Sequence, residues 1–322
     1  MSTVFSALFR GHNMKAYLGI DTSNYTTSTA LYFPETGEVV QKKKLLPVKE
    51  GELGLRQSDA VFHHTVQLPQ LLDELLCDFE GEIAGVGVSD APRRQEGSYM
   101  PCFLAGVSGA VAASLTNKVP LHRFSHQQGH IGAAVYSTGK AELLKKEFLA
   151  FHVSGGTTDA LLVSPDSDDI ISAQLLATSL DLKAGQAVDR VGVMLGYPFP
   201  AGKYVDALAL KSEKRYKINI KLKDGICCLS GVENKCRTML LNGESHEDIC
   251  RYCIDYIMAA LIKMAEYQLD SKGDKPILFS GGVMSSKVIS AELSKKFGAY
   301  FAQPEFSCDN AAGIAYLTFL KG

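Results

Sequence analysis

At 322 residues, with 46% hydrophobic and 21% charged side chains, the chain is long enough for two ordinary domains and has the composition of a globular protein. Its 33 basic residues nearly balance 35 acidic ones, so no global field draws in nucleic acid or membrane, although a local basic patch stays open. Eight cysteines in a chain of this size make no disulfide framework, and the longest apolar run, "CFLAGVSGAVAASL", is too short to cross a bilayer. Together these features predict a reduced, cytoplasmic protein with no membrane segment.

Residues 1–14 read as a tail without a secretory leader, Met14 being an alternative start. Strand-like runs then follow at Tyr17–Ile20, Thr27–Phe33 and Val39–Leu46, separated by polar or Gly/Pro turns as in an antiparallel meander. "SDAVFHHTVQLPQLLDELLCDF" has helical periodicity with a bend expected at Pro69. Next come a buried strand "IAGVGVSD", a small-residue helix "PCFLAGVSGAVAASLTN", the strand "VPLHRF" and the helix "SHQQGHIGAAVYS", for which Ser125 is the N-cap.

The second half restarts the scheme. "FLAFHVSGGTTDALLVSPDSDDIISAQLLATS" is strand, turn, strand, turn, strand. Helices follow in "LKAGQAVDRVGVMLG" and "YPFPAGKYVDALAL", then a basic insert, Lys211–Lys223, and a long helix "HEDICRYCIDYIMAALIKMAEYQLD". "KPILFSGGVMSSKVISAELSKKFG" is strand, glycine turn, helix, and a strand, a loop and a closing helix end the chain. Two meanders, each leading into alternating helices and strands, predict an internal duplication of architecture. Three turns rich in Gly, Ser and Thr ("GIDTSNYTTS", "HVSGGTTDA" and "FSGGVMSS") recur at equivalent points. Each alone is a tight turn. Together they point to nucleotide phosphate held in a cleft between the lobes, the third at a helix N-terminus. None is a Walker A loop.

His126 and His130 lie four apart on a helix and share a face, so they can either hold one ion or simply pack and cap. A metal would need a further ligand, for which Asp309 in "FSCDNAAG" is a candidate. Gln127 stands where an HExxH metallopeptidase has its general base, so that chemistry is unsupported. Cys250 and Cys253 sit in a helix-periodic segment and read as helix-face residues rather than zinc ligands.

The ordered set "GIDTS", "HxxGH", "VSGGTT", "AGQAVDRVGVMLGYPFPAG", "FSGGV" and "PEFSCDNAAGIAY" resembles the TsaD family across Lys15 to about Leu320. The resemblance implies an α/β, two-lobed actin-like ATPase fold with duplicated ribonuclease-H-like lobes. Lobe 1 would comprise residues 15–124 plus 305–322, and lobe 2 residues 125–304. It implies one iron or zinc ion on His126, His130 and Asp309. It further implies ATP, AMP or an acyl-adenylate on Ser154, Gly155, Gly156, Thr157, Gly185, Asp189, Gly202, Asp206, Gly281 and Gly282. The implied reaction moves a threonylcarbamoyl group from threonylcarbamoyl-adenylate to N6 of adenosine 37 in tRNA, with a TsaB-like partner or a second copy as possible company.

The departures are concentrated. Asp21 replaces the family's Glu in the first turn, and Asn24, Tyr25, Thr26 and Thr27 follow where the family has Cys-Asp-Glu-Thr. Thr157 stands where the family has His. Gln128, Leu182 and Gln186 replace acidic residues, while "APRRQEGSYMP" brings in Arg93 and Arg94. Fewer carboxylates lower the negative potential around a phosphate and leave no general base assigned. The reading is therefore of a divergent paralogue. Its alternatives are another carbamoyl or acyl acceptor, or a nucleotide-binding scaffold.

Overall fold

The computed structural model describes residues 14–23, 25–47 and 55–322, so the predicted tail, apart from Met14, and Asn24 lie outside the described residues. Two compact units emerge: the described residues up to 141, with 165–172 and 308–322, form the first, and 142–164 and 173–307 the second.

In unit 1, β1 (Lys15–Ser23) is central. It runs antiparallel to β2 (Thr26–Phe33), with Tyr17 opposite Tyr32 and Ser23 opposite Thr26, and parallel to β4 (Glu82–Ala91). With β3 (Glu38–Leu45) and β5 (Leu121–Ser125) the order is β3-β2-β1-β4-β5. The outer strand β3 carries Lys42, Lys43 and Lys44, a composition that discourages edge-to-edge pairing. β1 is nearly all buried because helices cover both of its faces, and strand alternation shows which helix covers which. Ile20 and Thr22 meet Gly106 of α2 (Phe103–Asn117), which lies beside α1 (Gln57–Leu76). Gly19, pointing the other way, meets the backbone of Ala311 and Ala315 at α9 (Ala312–Lys321).

Unit 2 repeats the order. β6 (Phe148–Val153) is antiparallel to β7 (Thr158–Asp166) and parallel to β9 (Ile277–Ser280), giving β8-β7-β6-β9-β10 with β8 (Ile170–Thr178) and β10 (Tyr300–Phe301) outermost. Its core is built with α4 (Ala184–Met194), α5 (Gly202–Ala209), α6 (Gly231–Leu241), α7 (His246–Lys272) and α8 (Lys287–Phe297). One five-stranded topology used twice is the duplicated ribonuclease-H-like arrangement of the actin-like ATPase fold. Among the described residues, no helix is long and apolar enough to cross a membrane.

The structure departs from the sequence reading at the lobe boundary and adds detail at two other places. The lobe boundary after residue 124 fails because α3 (His126–Thr138) packs on α9 and belongs to unit 1, whereas residues 305–307 fall in unit 2. The α3–α9 contact is backbone on backbone: a Cβ at Gly313 would lie 1.8 Å from the Gly129 carbonyl oxygen. Helix α6 is an element that periodicity missed, although Val232, Cys236 and Met239 form its buried stripe. The basic insert forms neither helix nor sheet strand; it is tied down onto α7 and ends in a tight turn in which Lys223 and Ile226 exchange backbone hydrogen bonds.

Gly313→Ala is expected to cost about 1–3 kcal/mol or more, because neither backbone can yield cheaply. Gly156→Ala, where an added Cβ meets nothing within 4 Å, should stay within about 0.5 kcal/mol of the parent. Urea unfolding of both variants checks this contrast.

Candidate metal centre and nucleotide pocket

Helix α3 opens with a reciprocal cap. The Ser125 hydroxyl accepts from Gln128 N at 3.2 Å, and Gln128 Oε1 accepts from Ser125 N at 2.7 Å. Gln128 Nε2 also donates to the Ile171 carbonyl at 2.7 Å. Gln128 is therefore a buried structural amide that faces the cap and not the histidines. A glutamate here would set a carboxylate against that carbonyl. What read as a lost site acid is a helix-capping residue.

With the first turn fixed, His126 and His130 project together, their ring centroids 4.3 Å apart. Asp309, just ahead of α9, completes the group. Its Oδ1 lies 3.6 Å from His126 Nε2 and 3.3 Å from His130 Nε2, and one ligand atom from each of the three falls within 4.8 Å of the others. Asn310 caps the following helix by accepting from Ala312 N, so the "DN" pair divides between site and scaffold.

Behind His126 sits Asp21, 1% exposed. Its Oδ2 is 2.7 Å from His126 Nδ1, and its Oδ1 accepts from Ser89 Oγ at 2.6 Å and Ser23 N at 3.0 Å. Carboxylate–histidine pairing of this kind orients a metal-binding imidazole and fixes which nitrogen faces the ion. Burial alone would pull the His126 pKa down, but the charge and hydrogen bond of Asp21, with help from Asp309, raise it to about 10. Burial likewise opposes ionisation of Asp21 and Asp309, and the neighbouring histidines outweigh it, holding both carboxyls below their usual range. The buried Asp21 and the partly exposed Asp309 thus favour positive charge between them, from a protonated His126 or from a cation. The N2O donor set suits a first-row divalent ion. Of the replaced acids, Thr26 reaches this group, its hydroxyl donating to Asp309 Oδ2 at 3.4 Å.

In unit 2, a pocket of about 790 Å³ is lined by six of the ten predicted nucleotide residues: Gly155, Gly185, Asp189, Gly202, Asp206 and Gly282. Ser154, Gly156, Thr157 and Gly281 do not line it. The Ser154 hydroxyl accepts from the backbone N–H of Gly156 and Thr157, closing the turn on itself. Gly281, at φ +99°, sits where a Cβ would be 2.3 Å from the Val153 carbonyl oxygen, which only glycine tolerates.

The expected anion site at the helix after Gly282 is already filled. A 3-10 turn, Gly282–Ser285, intervenes, and Asp206 accepts from Ser286 Oγ and Lys287 N at the start of α8. Asp189 accepts from Ala201 N at 2.7 Å, holding the Tyr197–Ala201 turn. Leu182 is core, and Gln186 is an exposed partner of Lys183 N at the start of α4. The pocket also brings in Lys203 and Lys287, which the motifs did not single out. Nearby, Asp181 accepts from the backbone N–H of Leu182, Leu229 and Ser230 and from the Ser230 hydroxyl, tying α4 to α6.

The TsaD family, described as tRNA N6-adenosine threonylcarbamoyltransferase, matches residues 39–316. A protein of that name from Carboxydothermus hydrogenoformans is 29% identical, covering 96% of this chain and 93% of its own. One from Methanopyrus kandleri is 26% identical over 89% and 82%. Among solved structures, full-length HypF is similar at TM-score 0.58 and 11% identity, over 95% of this chain and 54% of HypF. The (R)-2-hydroxyglutaryl-CoA dehydratase component A of Acidaminococcus fermentans is similar at 0.54 and 14%, over 95% and 98%. These two support the fold alone.

Burial opposes ionisation of Asp181, but the Ser230 hydroxyl and three backbone donors overcome it and bring the pKa down to about 2. A depressed folded pKa contributes stability above the unfolded value, near 3.9, and loses it as pH falls through the folded one. The stability gap between the parent and Asp181→Asn should therefore be constant above about pH 5 and close towards pH 2. Urea midpoints measured across that range check it.

Proposed function

Because this chain belongs to the TsaD family, we propose that it transfers a threonylcarbamoyl group from threonylcarbamoyl-adenylate to N6 of adenosine 37 in tRNA, using one iron or zinc ion. The observation that carries the reading is the convergence of His126, His130 and Asp309, backed by Asp21.

The residues suit that role. With His126 Nδ1–H donating to Asp21 Oδ2, the Nε2 lone pair is the one available for ligation. His130 and Asp309 supply the other two donors, and the Thr26 hydroxyl on Asp309 Oδ2 leaves Oδ1 towards the histidines. An ion held there would supply Lewis acidity to a substrate oxygen brought to it. In unit 2, the glycines lining the pocket let a nucleotide approach the backbone, and Lys203 and Lys287 offset phosphate charge. Positioning the carbonyl near the attacking amine does the remaining work. With Tyr25 and Thr26 in place of the family's acids, the base that takes the amine proton is left unassigned.

That substitution favours one second reading, the same transfer to an acceptor other than tRNA. Purified protein should carry about one iron or zinc per chain by elemental analysis, lost in His126→Ala. AMP at millimolar concentration should raise the melting temperature by a few degrees. In cells lacking their conventional TsaD, expression of this chain should restore the modified nucleoside by mass spectrometry. Metal and nucleotide binding without restoration would favour the second reading; metal-free protein would remove both.

A further inference from the structure

The basic insert of unit 2 is an extended strap whose two sides differ. Tyr216, Ile218, Ile220 and Leu222 turn inward onto the unit 2 core, and Lys217, Asn219, Lys221 and Lys223 are exposed. The strap is fastened before this alternation begins. The Ser212 hydroxyl and the Lys214 ammonium reach Asp248 at 2.6 and 2.8 Å, and Tyr216 N donates to Asp255 Oδ2 at 2.9 Å. Asp255 is itself held by Arg251, so the anchor is a buried ion pair on α7. Beyond it, Lys217, Lys221 and Lys223 make no side-chain hydrogen bond or ion pair among the described residues. The backbone N–H groups from Lys217 to Leu222 likewise find no protein acceptor there.

A rigidly seated row of unpaired ammonium groups beside unpaired amide donors is a surface built for anionic oxygens. Outward side chains on an extended chain recur roughly every 6.6 Å, so the row offers repeated contacts along a line and not one focus. A polyanionic backbone fits this better than a single anion. A peptide adding as a strand would use the amides but leave the lysines unmatched. We propose that the strap, through Lys217, Lys221 and Lys223, binds the phosphate backbone of the RNA acceptor. The inference rests on the tRNA reading above, and it assigns a surface that the reading leaves open.

The test uses the full-length protein and unmodified tRNA, followed by fluorescence anisotropy over a salt series. The triple variant Lys217→Glu, Lys221→Glu, Lys223→Glu should bind on the order of tenfold or more weakly. A neutral variant with glutamine at the same positions should also bind more weakly, with a log–log salt slope shallower by about 2–3. All three proteins should keep the same melting temperature and AMP shift, since the side chains are exposed. Parent and variants binding tRNA equally would overturn the strap while leaving the transfer reading intact; the lysines would then serve only to keep an open edge from pairing. A parent that binds no tRNA, or that binds anionic phospholipid vesicles in preference to it, would overturn the strap and the tRNA acceptor together.

Discussion

Unit 1 depends on a close crossing of two helices through small residues. Where α3 crosses α9, the backbone at Gly313 lies against the backbone of Gly129 and Ala133, and the Ile314 and Leu317 side chains of α9 seat over Gly129 and Gly132. Contacts this close leave little room for one helix to shift against the other. The histidines lie on the first turns of one helix and Asp309 just before the other. Their separation is thereby set by main-chain packing. A site made from two elements is only as well defined as the distance between them, and here that distance is the thickness of a backbone.

The same region concentrates charge. Asp21 is removed from water yet satisfied by a serine, a backbone amide and an imidazole, so its carboxylate is stabilised as the ion. It passes that stabilisation to His126, whose affinity for positive charge rises with it. Asp309 does the same from the opposite side. Whether protons or a cation answer the demand, the arrangement is electrostatically incomplete without one or the other. An apolar protein core has no reason to retain such a group, which is why it is informative about function.

Much of this was legible in the residues. Period-two runs gave both meanders, their repetition gave the duplicated sheets, and the i, i+4 spacing placed two histidines on one helical face. What escaped was the division of labour among polar residues. Gln128, Asp189 and Asp206 could equally be ligand contacts or caps, because a cap and a contact use the same oxygen. Only the position of a backbone amide 3 Å away separates them. Helix α6 escaped for a different reason: its mean character is polar, and its buried stripe is three residues wide among charges. The lobe boundary escaped because a close contact between distant glycines leaves no periodic trace.

The thiols carry a consequence of their own. Cys102, Cys227, Cys236, Cys250 and Cys253 are buried, and burial pushes Cys227 and Cys250 up to about 12, where the reactive thiolate is scarce. Cys77, Cys228 and Cys308 are exposed. With Cys77 and Cys228 replaced by serine, a maleimide fluorophore would enter at one place, the residue next to Asp309. The fold has thus left a single-site optical handle beside its histidine pair, from which events at that corner of unit 1 can be watched in real time.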